Sequence, residues 1–155
     1  MAVTLPRRAY LAIGAVLTHP RTHPLHRRLY RLTGGRGIVG RALGMDMILV
    51  SMAGRRTGRR RVVPLAALRD EETWVLIGSN SGKPRSPGWV HNLRADPNVE
   101  VEHRDGARAH RAREATGAEL ERLWSMAVAA YPGYAIYRAL TDRPIPLFVL
   151  EPVTA

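Results

Sequence analysis

Two apolar runs, Met47-Ile48-Leu49-Val50 and Val62-Val63-Pro64-Leu65-Ala66-Ala67-Leu68, are joined by Gly54-Arg55-Arg56-Thr57-Gly58-Arg59-Arg60-Arg61. Runs this short, rich in branched aliphatics and parted by two glycines, read as the strands of a hairpin. The connection carries five arginines in seven residues. Guanidinium and backbone N–H groups gathered at a turn suit a phosphorylated or polycarboxylate ligand. A charge run by itself is more often a solvated turn; the remaining sequence shifts that balance.

Short β-rich runs continue down the chain. They fall at residues 47–53, 61–68, 74–77, 99–103, 107–113 and 146–150, with turns at Asp70-Glu71-Glu72 and Asp105-Gly106. Residues 79–88 are too rich in Gly, Pro and Ser for regular structure, and residues 89–95 form a short helix ended by Asp96-Pro97. Leu120, Leu123, Trp124 and Ala127 recur at helical spacing within residues 117–130. Tyr131-Pro132-Gly133 breaks that helix, and residues 134–140 make a further turn or two. About six mostly antiparallel strands with two or three inserted helices, and no regular βαβ alternation, define an α+β barrel.

The 155 residues suffice for one compact domain with its own core. With no cysteine, disulfides, thiol nucleophiles and thiolate metal sites are excluded. The net charge is +11, and Lys83 is the sole lysine among 24 basic residues. Residues 1–45 hold eight arginines and no acid; the other 110 residues hold 16 basic and 13 acidic groups, or +3. An excess this uneven points to an anionic partner near the N-terminal third. Prolines 20 and 24 divide that third into a short helix over residues 8–18 and a second over 25–32, stopping at Gly34-Gly35. Residues 1–44 thus read as a basic arm, helical or mobile, ahead of a compact unit at 45–155. The arm either packs on that unit or lies on a membrane surface.

No run approaches the roughly 20 apolar residues of a spanning helix. Arg7-Arg8 before an apolar stretch has the look of a twin-arginine signal, but no small-x-small cleavage site follows. The expected location is cytoplasmic, with or without membrane association. His19, His23 and His26 stand in a proline-broken arm without neighbouring carboxylates, so no metal site is expected. Neither helix-turn-helix nor stacking-aromatic patterns accompany the charge, which argues against nucleic acid.

Besides the arginine turn, two stretches carry chemistry. Ser79, Ser81, Lys83 and Arg85, ahead of the helix that opens at Trp89, make an anion-friendly concavity, though an ordinary surface loop has the same composition. Tyr131, Tyr134 and Tyr137 follow three-residue steps and share one side of a helical stretch. Such rings usually pack a core; clustered phenols also donate hydrogen bonds to a polar acceptor.

Four blocks in order, GRRTGRRRVVPL (54–65), GSNSGKPRSPGWVHNL (78–93), YPGYAIY (131–137) and TDRPIPLFVLEP (141–152), closely resemble the deazaflavin (coenzyme F420)-dependent nitroreductase and quinone reductase family. The similarity runs over about residues 44–152. It implies a split β-barrel like that of flavin mononucleotide-binding oxidoreductases. It also implies a reduced 8-hydroxy-5-deazaflavin, coenzyme F420, passing hydride to a quinone or nitroaromatic acceptor; FMN is the less favoured cofactor. By motif position, Arg55, Arg56, Thr57 and Arg61 hold the phosphate and anionic tail, with Pro64 beneath the turn. Ser79, Asn80, Ser81, Gly82, Trp89 and Asn92 line the ring and its linker, and Lys83 also binds the cofactor. Ser79, Tyr131, Tyr134 and Tyr137 match positions that face the electron acceptor. The family often has lysine-glycine-glycine where this chain has Asn80-Ser81-Gly82, which leaves Lys83 or Arg85 to restore the charge. Gly88 replaces a larger residue before the tryptophan. Split-barrel relatives also include non-catalytic carriers of haem, fatty acid or deazaflavin, so fold analogy leaves that alternative standing. Oligomeric state is not legible.

Overall fold

The computed structural model describes residues 5–17, 19–33 and 44–154. Six strands form a closed antiparallel barrel: β1 (Asp46–Ala53), β2 (Arg60–Asp70), β3 (Thr73–Ile77), β4 (Asn98–His103), β5 (Gly106–Glu114) and β6 (Leu147–Pro152). Their order around the barrel is β1-β2-β3-β6-β5-β4. The hairpin expected around the arginine turn is β1–β2, with Met52 opposite Arg61 and Ala53 opposite Arg60. Its turn closes through Gly54 N–H to the Arg59 carbonyl at 2.8 Å and Gly58 N–H to the Gly54 carbonyl at 2.7 Å. Gly58 takes φ +66°, a left-handed conformation that glycine adopts without a Cβ penalty.

Three helices are inserted: α3 (Gly88–Ala95), α4 (Gly117–Ala130) and α5 (Gly133–Ala139), while α1 (Arg7–Leu17) and α2 (His23–Leu32) precede the barrel. Side chains alternate across a strand, which sorts the core into two clusters. Ile48, Val50, Leu76, Val101, Phe148 and Leu150 fill the interior, joined by Trp89, Val90 and Leu93 of α3. Val75, Ile77, Leu147 and Val149 point the other way, onto Leu123 and Ala127 of α4 and Tyr134 and Tyr137 of α5. Strands β3 and β6 are therefore buried on both faces, which explains their unbroken apolar sequences. In β4 only Val99 and Val101 are buried while the intervening glutamates reach the surface, giving the clean alternation of a one-sided strand.

Two features of this barrel create a cleft. First, β2 pairs with β1 along residues 60–67 but with β3 only from Ala67 onward, where Ala67 faces Leu76. Among the described residues, no strand pairs with the other edge of residues 60–66. Second, the described part of the N-terminal region docks on the barrel. Tyr10 of α1 is only 2% exposed and belongs to the outer core cluster. Tyr30 of α2 is buried and donates its hydroxyl to the Glu102 carbonyl of β4 at 3.3 Å. Its phenol is pushed up to about 12, by burial first and by the Glu102 charge second. Arg31 adds an ion pair with Glu102 at 3.4 Å. The expected stop at Gly34-Gly35 lies outside the described residues; α2 ends at Leu32, with Thr33 Oγ1 donating back to the Leu29 carbonyl at 2.8 Å.

Candidate active site

A cleft of about 740 Å³ opens along the unpaired edge of β2. This is within the range of small-molecule sites, roughly 300–1,000 Å³. One wall is β2 from Arg60 to Ala66; a second is the segment from Ser79 to Trp89 with Asn92; a third is Tyr131, Tyr134 and Tyr137; the fourth comes from Gly14, His23, His26 and Arg27 of the N-terminal helices. Among the described residues that line it, every formally charged side chain is basic: Arg27, Arg60, Arg61 and Lys83.

Of the residues singled out in the sequence, Arg61, Pro64, Ser79, Asn80, Ser81, Lys83, Trp89, Asn92 and the three tyrosines meet at this cleft. Arg55, Arg56 and Thr57 are exposed on the hairpin turn and do not line it. The turn still adjoins the site, because the Arg55 N–H donates to Asn92 Oδ1 at 3.1 Å. Gly82 lies behind the lining. A Cβ there would sit 2.7 Å from the Tyr137 carbonyl oxygen, and φ is +74°, so only glycine lets this loop approach α5.

The loop is a 3₁₀ turn, Asn80–Gly82, in which Asn80 and Ser81 also take positive φ, 46° and 56°. Left-handed conformations cost about 1–2 kcal/mol per ordinary residue, so an outside brace is required. Arg143 is that brace. Its guanidinium donates to the carbonyls of Gly78 (3.2 Å), Ser79 (2.8 Å), Lys83 (3.0 Å) and Pro144 (3.3 Å), and to Ser86 Oγ (3.3 Å). Asn80 Nδ2 donates to the Arg85 carbonyl at 2.8 Å, closing the loop on itself. Sequence reading assigned Arg143 no role. Its partners are chiefly backbone carbonyls about sixty positions away, which no residue pattern announces.

The tyrosines converge through the helix break rather than through helical periodicity. Tyr131 caps the end of α4, whereas Tyr134 and Tyr137 lie on α5, and Pro132-Gly133 folds the two together. A Cβ at Gly133 would meet the Tyr131 ring at 2.4 Å. The three rings touch edge-on or tilted, with centroids 5.2–6.2 Å apart. Proton directions follow from donor counting. Tyr137 spends its one proton on the Tyr10 carbonyl at 2.7 Å, so across the 3.1 Å contact between Tyr131 and Tyr137 the donor is Tyr131. Tyr134 donates to Met45 Sδ at 3.5 Å, a weak acceptor from which its proton is readily redirected. Burial, as the first cause, raises all three phenols above their ordinary value. At neutral pH they are hydrogen-bond donors, not bases.

Helix α1 roofs this cluster. Gly14 lies so close that a Cβ would be 2.4 Å from Tyr137 Oη and 2.5 Å from Ser81 Oγ. Tyr10 packs edge-on to Tyr131 with centroids 5.1 Å apart. Tyr10 and Gly14 went unnoticed in the sequence; an aromatic and a glycine four apart in an apolar run were the available signal.

Comparisons with known proteins agree with this fold. Residues 13–152 match the model of the F420H(2)-dependent quinone reductase family, and the chain belongs to that family. The F420H(2)-dependent quinone reductase Rv1261c of Mycobacterium tuberculosis is 34% identical over 132 residues, 81% of this chain and 87% of that protein. Among solved structures, an F420-H2 dependent reductase, FDR-A, aligns with a TM-score of 0.63 at 38% identity, covering 68% of this chain and 93% of that one. The haem storage protein HutZ of Vibrio cholerae aligns at 13% identity with a TM-score of 0.53, over 81% of this chain and 89% of its own; it shares the fold alone. The family match begins inside α1, so it takes in most of the described N-terminal helices as well as the barrel.

Two outcomes follow. Arg143→Gln leaves several carbonyls without their donor and lowers stability by on the order of 3 kcal/mol, read as a shift of the urea midpoint. For the tyrosines, the folded values exceed the unfolded value of about 10. Their contribution to stability is complete below that pH and is lost as pH rises beyond it. An ultraviolet phenolate titration therefore shows Tyr131, Tyr134 and Tyr137 ionising only as the protein unfolds in alkali.

Proposed function

We propose that this protein uses reduced coenzyme F420 to reduce quinones in the cleft beside β2, with nitroaromatics as secondary acceptors. The observation that carries this reading is the cleft's chemistry: among the described residues that line it, the charged groups are all basic and the rest are largely apolar, phenolic or hydroxyl-bearing. A donor set of that kind fits a planar ring bearing a phosphate and carboxylate tail. Deazaflavin is favoured over FMN because the family is named for it. When bound, the reduced deazaflavin supplies a hydride to the acceptor.

The roles of the chain's own residues follow from their positions. Arg61 and Lys83 bind the anionic part of the cofactor inside the cleft. Arg55, Arg56 and Thr57, exposed on the turn, meet the part of the tail that extends beyond it. Pro64, Trp89 and Asn92 bound the ring, and the residues from Ser79 to Gly82 shape its linker under the Arg143 clamp. The hydroxyls of Ser79 and Tyr134 face the acceptor and polarise the oxygen on which negative charge develops. Tyr134 delivers the proton, since its present partner is only a thioether. Tyr131 and Tyr137, committed to the chain that ends at the Tyr10 carbonyl, hold the roof and exclude water.

A membrane partner is part of this reading. Leu25, Leu29 and Leu32 form an exposed stripe on α2, 48–75% accessible, flanked by Arg28 and Arg31. Such a helix suits an anionic bilayer that holds lipid-soluble quinones.

Fluorescence titration with coenzyme F420 tests the cofactor assignment: micromolar binding is expected, and Arg61→Ala weakens it about tenfold or more. No binding at those concentrations defeats the proposal. Tyr134→Phe lowers turnover with menadione at least tenfold while the cofactor dissociation constant stays within twofold. Co-sedimentation with vesicles containing anionic phosphatidylglycerol retains the wild-type chain, and Leu29→Glu releases it into the supernatant.

A further inference from the structure

The sequence set residues 1–44 apart as an arm that packs on the barrel unit or lies on a membrane; in the structure α2 supplies a wall of the cleft. His23, His26 and Arg27 occupy positions i, i+3 and i+4, which share one helix face, and all three line the cavity with Arg61 and Lys83. The helix is held there from its other end by Tyr30 and Arg31 on Glu102. His23 and His26 are only half-buried, so core packing does not account for them.

We infer that His23 and His26, with Arg27, form a proton-coupled wall of the anion site: they bind the phosphate and carboxylates of the cofactor as imidazolium, taking up protons from solvent as the anion enters. The inference rests on the deazaflavin reading only in requiring a ligand with an anionic handle. Among the described residues that line the cleft, the groups around these imidazoles are cationic or neutral. Arg27 lies beside them on α2 and His19 in the preceding turn; Arg60 and Arg61 come from β2, Lys83 from the loop, and the phenols form another wall. Arg60 is partly neutralised by Glu100 at 2.6 Å. Burial, then His26 and His19, holds His23 below its ordinary value. At His23 the empty cleft therefore favours the neutral form, and a multiply charged anion reverses that preference. By linkage, affinity for such an anion rises as pH falls through the imidazole range, about 8 to 6.

Binding of coenzyme F420 to the full chain, measured by fluorescence from pH 6 to 8.5 at constant ionic strength, tests this directly. The same titration with the deazariboflavin that lacks phosphate and glutamates removes effects of the shared ring. Relative to that analogue, wild-type affinity for the tailed cofactor rises about tenfold from pH 8 to 6. The His23→Gln/His26→Gln double variant, verified as folded by its unchanged circular dichroism, flattens the rise to under twofold. Arg61→Ala weakens binding at every pH and keeps the rise. An unaltered pH dependence in the double variant, or an equal one with the tail-less analogue, overturns the inference while leaving the cofactor assignment intact. Failure of the wild-type chain to bind the tailed cofactor at any pH overturns both.

Discussion

Everything about this site depends on β2 changing partners partway along its length. Pairing with β1 runs through the whole first half of the strand, while pairing with β3 begins at Ala67. A continuous ladder on both sides would have sealed the barrel wall and left only a packed interior. The missing half-ladder leaves backbone polar groups at an edge, where other elements or a ligand must satisfy them. Pro64 falls within this stretch, and a residue without an N–H is tolerated there as it is on edge strands.

The helices around the opening each supply a different chemical property. Helices α4 and α5, broken at Pro132-Gly133, bring three neutral phenols to one place. The loop from Ser79 to Ser86 brings serine hydroxyls and the Lys83 ammonium. The N-terminal helices, which look dispensable as a sequence, close the cavity: the Tyr10 carbonyl accepts the hydrogen bond of Tyr137, and α2 adds His23, His26 and Arg27 to the lining. Division into arm and barrel follows the composition of the chain, whereas the cleft draws on both.

Much of the barrel was readable from local pattern. Strands β3 and β6 are continuous apolar runs because both their faces are covered, and β4 alternates Val with Glu because one is not. Gly58 and Gly106 marked turns where the backbone takes positive φ, which few other residues adopt. The blocks around Arg61, Ser79 and Tyr134 disclosed most of the cleft through family likeness. What escaped were contacts whose partners are distant and anonymous. The bond from Tyr137 to the Tyr10 carbonyl spans 127 residues, and any residue at position 10 has a carbonyl. Gly14 reveals itself only when the atoms a side chain would strike are known. Arginines 55 and 56, conspicuous in the sequence, turned out to stand outside the cavity, because charge density along a chain does not say which way a turn faces.

Arg143 has one property that distinguishes it from the other well-partnered arginines on this surface. Arg94, Arg113 and Arg122 each answer a carboxylate, whereas Arg143 answers carbonyl oxygens and one hydroxyl. Acid that protonates carboxylates loosens the first three and leaves the fourth untouched, since its acceptors have no midpoint of their own to cross. The loop from Ser79 to Ser86 is thereby held by bonds that acidity does not break, and whatever responds to protons in this molecule must do so elsewhere.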